Sequence, residues 1–102
     1  MKSIMQQNDG RCYLCMRLNM DYSIQNGIEE HHAIFNAKNR ALSEKYGLKV
    51  YLCRAHHRQS PEAVHENRKM RTIVEDAAQR AFEAKFPELD FREIFGKNYK
   101  ID

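Results

Sequence analysis

Long apolar segments are missing from this 102-residue sequence. No run of apolar residues approaches the roughly 18 residues that a membrane-spanning helix needs. The residues from Met1 to Gln7 also lack the apolar stretch of a secretory signal peptide. We therefore expect a cytoplasmic protein that makes no membrane contact.

Tryptophan is absent and only 42% of the residues are hydrophobic, so a modest core is expected. Pro-, Gly- or Ser-rich stretches long enough to act as linkers are also missing, as are internal repeats and low-complexity segments. The length suits one folding unit. The sequence therefore predicts a single domain over residues 1–102.

A strong excess of either charge is lacking too, since the net charge is only +3. Residues 1–60 carry nine Lys and Arg against five Asp and Glu, whereas residues 61–102 carry eight against nine. The basic excess thus falls in the half that holds the cysteines. This bias suits a polyanionic partner, although it is a weak indication by itself.

The cysteines are few, and their spacing is informative. Three cysteines cannot all pair, and a reducing cytosol disfavours disulfides, so metal binding is their better use. Cys12-x2-Cys15 and Cys53-x2-His56 are two pairs of zinc-knuckle spacing, and together they predict the four ligands of one structural Zn²⁺ ion. Three buried thiols beside a surface histidine would be the alternative, but that does not explain two pairs of equal spacing.

The first sixty residues predict short, mixed elements. After a flexible lead-in over residues 1–9, the Asn26-Gly27 turn signal precedes a predicted strand over 28–35. A polar loop over 36–40 leads to one or two helical turns that Gly47 ends. A second strand is then predicted over 48–52. Residues 12–60 would form the core of the domain.

The pattern of residues 61–96 predicts helices. Ser60-Pro61-Glu62 combines a capping residue, a proline for the first turn and an acid, so a helix is expected to start there. Apolar residues then recur from Met70 to Phe86 at the spacing of an amphipathic helix. Asp90 can cap a last short helix that Gly96 ends. The fold class is therefore α+β.

Two histidine doublets, His31-His32 and His56-His57, are the second notable pattern. Neighbouring residues on a helix diverge by about 100°, so His56 and His57 should not bind the same ion. Likewise, His31 and His32 on a strand should point in different directions. One histidine of each doublet is thus available for a second, catalytic metal site.

These motifs resemble the HNH (ββα-metal, His-Me finger) nucleases over residues 12–57. The residues that carry the resemblance are Cys12-x2-Cys15, Glu30-His31-His32, Asn39 and Cys53-x2-His56-His57. The longer run from Glu30 to His65 is similar to phage HNH proteins of the recombination-enhancing RecA-dependent nuclease family.

The resemblance implies a fold and an activity. The fold would be a small zinc-stapled ββα-metal domain followed by a long amphipathic helix, and the activity metal-dependent hydrolysis of DNA phosphodiester bonds. By the family pattern His32 is the general base, whereas His31 and His57 bind the catalytic metal. Asn39 is expected to take the place of the central asparagine and to hold the loop by side-chain hydrogen bonds.

His65 is a further candidate ligand of the catalytic metal, because the similar phage proteins also carry His after an apolar residue. It lies eight residues after His57, and the intervening turn could fold it back towards His31 and His57. An exposed helix histidine is the alternative. The catalytic ion would be Mg²⁺, Mn²⁺, Ni²⁺ or Zn²⁺, and neutral nitrogen ligands favour the transition metals.

The expected partner is DNA, with Arg40, Arg54 and Arg58 as candidate phosphate contacts. The resemblance adds a recombinase–DNA filament or a phage protein as further partners, and a phage-infected or lysogenic bacterial host as the setting. The sequence does not decide whether the protein forms a dimer. Two alternatives to a nuclease are a non-catalytic zinc-binding module for DNA binding or phage assembly and, less favoured, a thiol redox protein using Cys12-x2-Cys15.

Overall fold

The structure, a computed structural model, describes residues 1–34 and 36–101. Its elements, in chain order, are α1 (Tyr13–Asn19), β1 (Glu29–His32), α2 (Ala37–Tyr46), β2 (Lys49–Leu52), α3 (Arg54–His57), α4 (Arg68–Lys85) and α5 (Phe91–Phe95). The expected mixed α+β class is confirmed. The radius of gyration of 13.0 Å is that of a compact domain of this length.

The sheet consists of β1 and β2, which pair antiparallel with His31 opposite Val50 and His32 opposite Lys49. Every residue of β2 is buried, whereas β1 alternates. Because successive side chains of a strand point to opposite faces, His31 is buried and His32 is only half-buried. Both expected strands are present, each somewhat shorter than predicted. Phe35, the last residue of the first predicted strand, lies outside the described residues.

Residues 3–6 cover the outer edge of β2. The Ser3 hydroxyl donates to the Lys49 carbonyl (2.6 Å), and the Gln6 side-chain oxygen accepts from the Tyr51 amide (2.8 Å). An exposed strand edge offers unpaired backbone groups to other chains, and these side chains occupy two of them. The segment expected to be a flexible lead-in therefore has contacts of its own with the sheet.

α2 begins earlier than expected. The side chain of Asn36 accepts a hydrogen bond from the Asn39 amide (3.0 Å) and so caps the helix, which starts at Ala37. The predicted polar loop over 36–40 is therefore wrong beyond its first residue. The predicted end is confirmed, since Gly47 has the left-handed backbone (φ +72°) that ends a helix.

α4 begins later than expected. Ser60 does form a local cap, but its hydroxyl closes a turn by donating to Ala55 O (2.6 Å) and accepting from Glu62 N (3.1 Å). The chain then folds back, because the Val64 amide donates to His56 O (2.7 Å). Asn67 provides the real cap, so the predicted helix start at Pro61 is wrong by seven residues.

The core lies between the sheet, α4 and α5. Tyr46, Phe82, Phe91 and Phe95 form its aromatic part, with ring centroids of Tyr46 and Phe82 5.2 Å apart. α5 starts and ends at the predicted residues, since Asp90 caps it and Gly96 ends it. Within the described residues, no helix combines the length and apolar character needed to cross a bilayer.

Candidate metal centres and the histidine cleft

The expected zinc ligands lie together in a buried cluster made by Cys12, Cys15, Cys53 and His56. The distances from His56 Nδ1 to the three sulfur atoms are 3.5 Å (Cys12), 3.5 Å (Cys15) and 3.4 Å (Cys53). The sulfur atoms of Cys15 and Cys53 are 3.9 Å apart, and all three cysteines are free thiols. The cluster thus joins residues separated by up to 44 positions.

These distances suit tetrahedral zinc. Ligands placed about 2.3 Å (sulfur) and 2.0 Å (nitrogen) from a common centre at tetrahedral angles lie about 3.5–3.8 Å from each other. The four distances given above, 3.4–3.9 Å, are close to that spacing. Burial raises the pKa of the Cys15 thiol to about 12 and also raises that of Cys53, so these sulfurs favour the protonated form without a cation. The buried Cys3His cluster therefore suits a structural Zn²⁺ ion.

Local helix geometry prepares this cluster. Cys12 is the N-cap of α1, and its sulfur accepts a hydrogen bond from the Cys15 amide (3.4 Å). Cys53 occupies the corresponding position before α3, so His56 lies one turn further on. Each ligand pair thus begins a short helix. Of these two helices, α1 was not predicted from the sequence.

A second cluster consists of His31, His57 and His65, whose candidate ligand atoms all lie within 4.8 Å of one another. The ring centroids are 5.3 Å apart for His31–His57, 5.3 Å for His31–His65 and 4.9 Å for His57–His65. The three residues come from β1, α3 and the turn before α4. As expected for neighbours on a helix, His56 and His57 belong to different clusters.

Two members of this second cluster, His31 and His65, favour the neutral imidazole. Burial, reinforced by the neighbouring His57 and His65, lowers the pKa of His31 to about 3. Burial likewise lowers the pKa of His65, with further contributions from His57, Arg58 and Arg71. Neutral imidazole is the form that binds metal ions. Together with His57, these two imidazoles form a group that could hold a metal ion.

Glu29 fixes the orientation of His57. Its Oε1 accepts a hydrogen bond from His57 Nδ1 (2.8 Å), and this contact lowers the pKa of the Glu29 carboxyl. His57 Nε2 then lies 3.2 Å from His65 Nε2, on the inner side of the cluster. A carboxylate behind a ligand histidine is a common feature of protein metal sites. Glu29 was not singled out from the sequence.

His32 lies beside this cluster and contacts a different carboxylate. Its Nε2 is 2.9 Å from Glu44 Oε1 and 3.7 Å from Glu30 Oε1. Lys49 Nζ lies 3.2 Å from Glu44 Oε2 and 3.7 Å from Glu30 Oε2, so one ammonium group is shared by the two carboxylates. The His32 hydrogen bond is the largest cause that lowers the pKa of Glu44, to about 2. Glu44 is thus an ionised acceptor for a proton on His32 Nε2.

A cleft of about 100 Å³ brings the histidines together. Its lining consists of Glu30, His31, His32, Arg40, His57, Arg58 and His65. Of the three arginines expected to contact phosphates, Arg40 and Arg58 therefore border the histidines. Arg54 instead packs over the turn at Gly27. A Cβ atom added to Gly27 would lie 3.0 Å from Nε of Arg54.

No family model, curated protein or solved structure matches the chain.

Asn39 is not among the residues that line the cleft. Its side chain is buried on α2 and donates from Nδ2 to Phe95 O (3.1 Å) and Tyr99 Oη (3.4 Å). These bonds tie α2 to the C-terminal segment. The loop after β1 is held by Ser43, whose hydroxyl donates to Ile34 O (2.9 Å) and accepts from Ile34 N (3.2 Å). The hydrogen bonds of Asn39 thus reach the C-terminal segment, and its expected role at the site stays a prediction.

Proposed function

We propose that this chain is a metal-dependent HNH-type endonuclease that hydrolyses DNA phosphodiester bonds. The observation that carries the proposal is the shared cleft, in which His32 and the cluster of His31, His57 and His65 lie side by side. A candidate metal-ligand set beside a histidine outside that set suits metal-assisted hydrolysis.

The His31, His57 and His65 cluster has the donor chemistry for one ion. A divalent ion held there would stabilise the negative charge that develops on the scissile phosphate. Glu29 keeps the proton of His57 on Nδ1, because a carboxylate can only accept a hydrogen bond, and so leaves Nε2 with a lone pair. Burial keeps His31 neutral.

His32 is the general base in this proposal. Since ionised Glu44 accepts from His32 Nε2, the proton resides on that nitrogen and Nδ1 has the free lone pair. Nδ1 is therefore the atom that takes a proton from the attacking water. Lys49, which is nearly buried, contacts Glu44 and helps to fix its position. Glu44 is thus a positioning residue for His32.

Arg40 and Arg58 provide positive charge at the cleft. Both are exposed and line the space next to the histidines. Such residues contact the DNA backbone without reading its sequence. We therefore expect the substrate to be held by its phosphates, with weak sequence preference. Arg54 does not line this cleft, and we do not include it among the proposed phosphate contacts.

A structural zinc ion would also help to position the histidine cluster. α3 contains His56 of the Cys3His cluster and His57 of the histidine cluster as consecutive residues. Zinc bound through His56 therefore fixes the orientation of α3 and with it the position of His57. β1, β2 and α3 would form the ββα-metal unit of the proposed fold, with α4 as the long amphipathic helix after it.

A plasmid-nicking assay with purified, zinc-loaded protein tests the proposal. Supercoiled DNA should be converted to the open-circular form only when Mg²⁺, Mn²⁺, Ni²⁺ or additional Zn²⁺ is supplied. The resemblance to phage recombination nucleases adds a second arm, in which a recombinase filament on the same DNA should direct the cleavage. Absence of nicking under all metals, with or without the filament, would favour the non-catalytic zinc module.

A further inference from the structure

A second cleft, of about 490 Å³, lies between α4 and the segment after α5. From α4 it is lined by Arg68, Arg71, Thr72 and Glu75, which share one helix face at spacings of three and four residues. Lys97 lines the opposite side. Three cations thus face one carboxylate. None of these residues was assigned to DNA binding by the sequence.

The charge of this cleft remains positive at neutral pH. Burial raises the pKa of Glu75, and Arg71, Lys97 and Arg68 oppose this rise, so the carboxylate offsets at most one of the three cations. Lys97 is also held in place, because its Nζ lies 4.8 Å from the centroid of the Tyr99 ring. The cleft is therefore a preformed site for an anion.

The positions of the arginines are unfavourable for the helix itself. The first turn of α4 contains no acidic residue, although the positive end of a helix dipole favours acids there. Arg68 opens the helix, and Arg71 follows three residues later. An anion bound between these arginines and Lys97 would offset this unfavourable placement.

The second cleft follows the histidine cleft closely along the chain. His65 and Arg58 line the histidine cleft, and Arg68 lines the second cleft three residues after His65. Cations therefore lie on both sides of His65 in the sequence, Arg58 at one cleft and Arg68 at the other.

We propose that Arg68, Arg71 and Lys97 bind backbone phosphates of the DNA substrate. These phosphates belong to the complementary strand, or to the cleaved strand a few nucleotides away from the histidine cleft. This inference rests on the proposed nuclease function for its choice of DNA as the polyanion. It adds a contact surface on α4 that extends the substrate site beyond Arg40 and Arg58.

The test measures binding of a fluorescent DNA duplex by anisotropy over a range of salt concentrations, without added divalent ions. The His32→Ala background prevents cleavage. Arg68→Gln combined with Lys97→Gln should weaken binding at low salt, and the slope of log K against log salt should fall by about 0.9 for each phosphate that the variant no longer binds. Both side chains are exposed or line the open cleft, so far-ultraviolet circular dichroism should be unchanged.

Lys85→Gln combined with Arg92→Gln is the matched control, because it removes the same charge from exposed positions outside both clefts. Lys85 lies about 25 Å from Arg68 along α4. The control should retain the slope of the parent protein. Equal weakening in the two double variants would show that only net charge matters and would overturn the inference.

A failure of this phosphate-binding surface can be distinguished from a failure of the proposed nuclease function. If the wild-type protein nicks DNA while Arg68→Gln/Lys97→Gln retains the parent slope, the nuclease proposal stands and the phosphate-binding surface on α4 is wrong. If no nicking occurs but the slope falls in that double variant alone, the phosphate-binding surface stands and the nuclease proposal fails. If the protein does not bind DNA at all, both fail.

Discussion

Glu29 and His57 form a hydrogen bond of 2.8 Å that decides which nitrogen of His57 faces the histidine cluster. The carboxylate accepts from Nδ1, and Nε2 is directed to His65. The two residues are 28 positions apart and meet because α3 packs beside β1. The catalytic metal site we propose thus depends on a residue that is not itself a ligand.

Removal of this carboxylate should weaken metal binding. We expect Glu29→Ala to lower the affinity of the histidine cluster for Ni²⁺ or Co²⁺ by about 10–100-fold, because His57 loses both its orientation and the charge behind it. Calorimetric titration of zinc-loaded protein measures this. Glu62→Ala, at an exposed carboxylate in the turn before α4, should retain wild-type affinity. Equal affinities for all three proteins would show that Glu29 does not orient a ligand.

His65→Ala should shift the metal dependence of nicking. Nitrogen ligands suit Mn²⁺, Ni²⁺ and Zn²⁺ better than Mg²⁺, so the wild-type protein should be half-activated by transition metals at lower concentrations than by Mg²⁺. The variant should need more of each transition metal. Glu88→Ala, at an exposed carboxylate in the turn after α4, is the control. An unchanged titration for His65→Ala would leave the site to His31, His57 and water.

Loss of one zinc ligand should unfold the protein. Metal binding contributes about 10 kcal/mol to the folding of small zinc modules, and the Cys3His cluster joins the two halves of this core. We expect one tightly bound zinc per chain by elemental analysis, and expect Cys12→Ser to unfold or aggregate. A folded wild-type sample that contains no zinc would contradict the zinc assignment.

The zinc ligands could be predicted because their spacing is local. A Cys-x2-Cys or Cys-x2-His pair before a helix brings both ligands to one side within a single turn, whatever the rest of the chain does. Only the meeting of the two pairs depends on distant residues. It was indicated by the odd number of cysteines, which cannot all form disulfides and are expected to stay reduced. The end of α2 at Gly47 and the cap at Asp90 were predictable for the same local reason.

The start of α4 was not predictable from such signals. Ser60 and Pro61 suit a helix N-terminus and a tight turn equally well. The choice depends on Val64 and His56, whose backbone hydrogen bond folds the chain back before the helix begins. This fold-back also places His65 beside His57, so the same tertiary contact decides both the helix boundary and the third histidine.

Partners of the histidines were missed because they come from other elements. Glu44 approaches His32 from α2, twelve positions away, and nothing in its own sequence neighbourhood indicates that contact. The hydrogen bonds of Asn39 were missed for a similar reason. Its hydrogen-bond partner Phe95 is 56 positions away, and the sequence does not show which face of α2 meets the C-terminal segment.

Asn39→Ala separates a structural role from a catalytic one. The Phe95 carbonyl would lose a buried donor, which typically costs about 1–3 kcal/mol, so the free energy of unfolding in urea should fall by that amount. The nicking rate of the folded protein should be unchanged. Asn8→Ala, at an exposed position, should alter neither quantity. A large loss of nicking at unchanged stability would return Asn39 to the catalytic site.

The most direct test of the central claim is the rate of metal-dependent plasmid nicking by His32→Ala. Loss of a general base typically lowers the rate by about 10²–10⁴-fold. His32 belongs neither to the Cys3His cluster nor to the cluster of His31, His57 and His65, although with Glu30 and Glu44 it forms a third group that could hold an ion. The account predicts a loss of that size in a protein that is folded and still contains its structural zinc. Nicking by His32→Ala at the wild-type rate would contradict it.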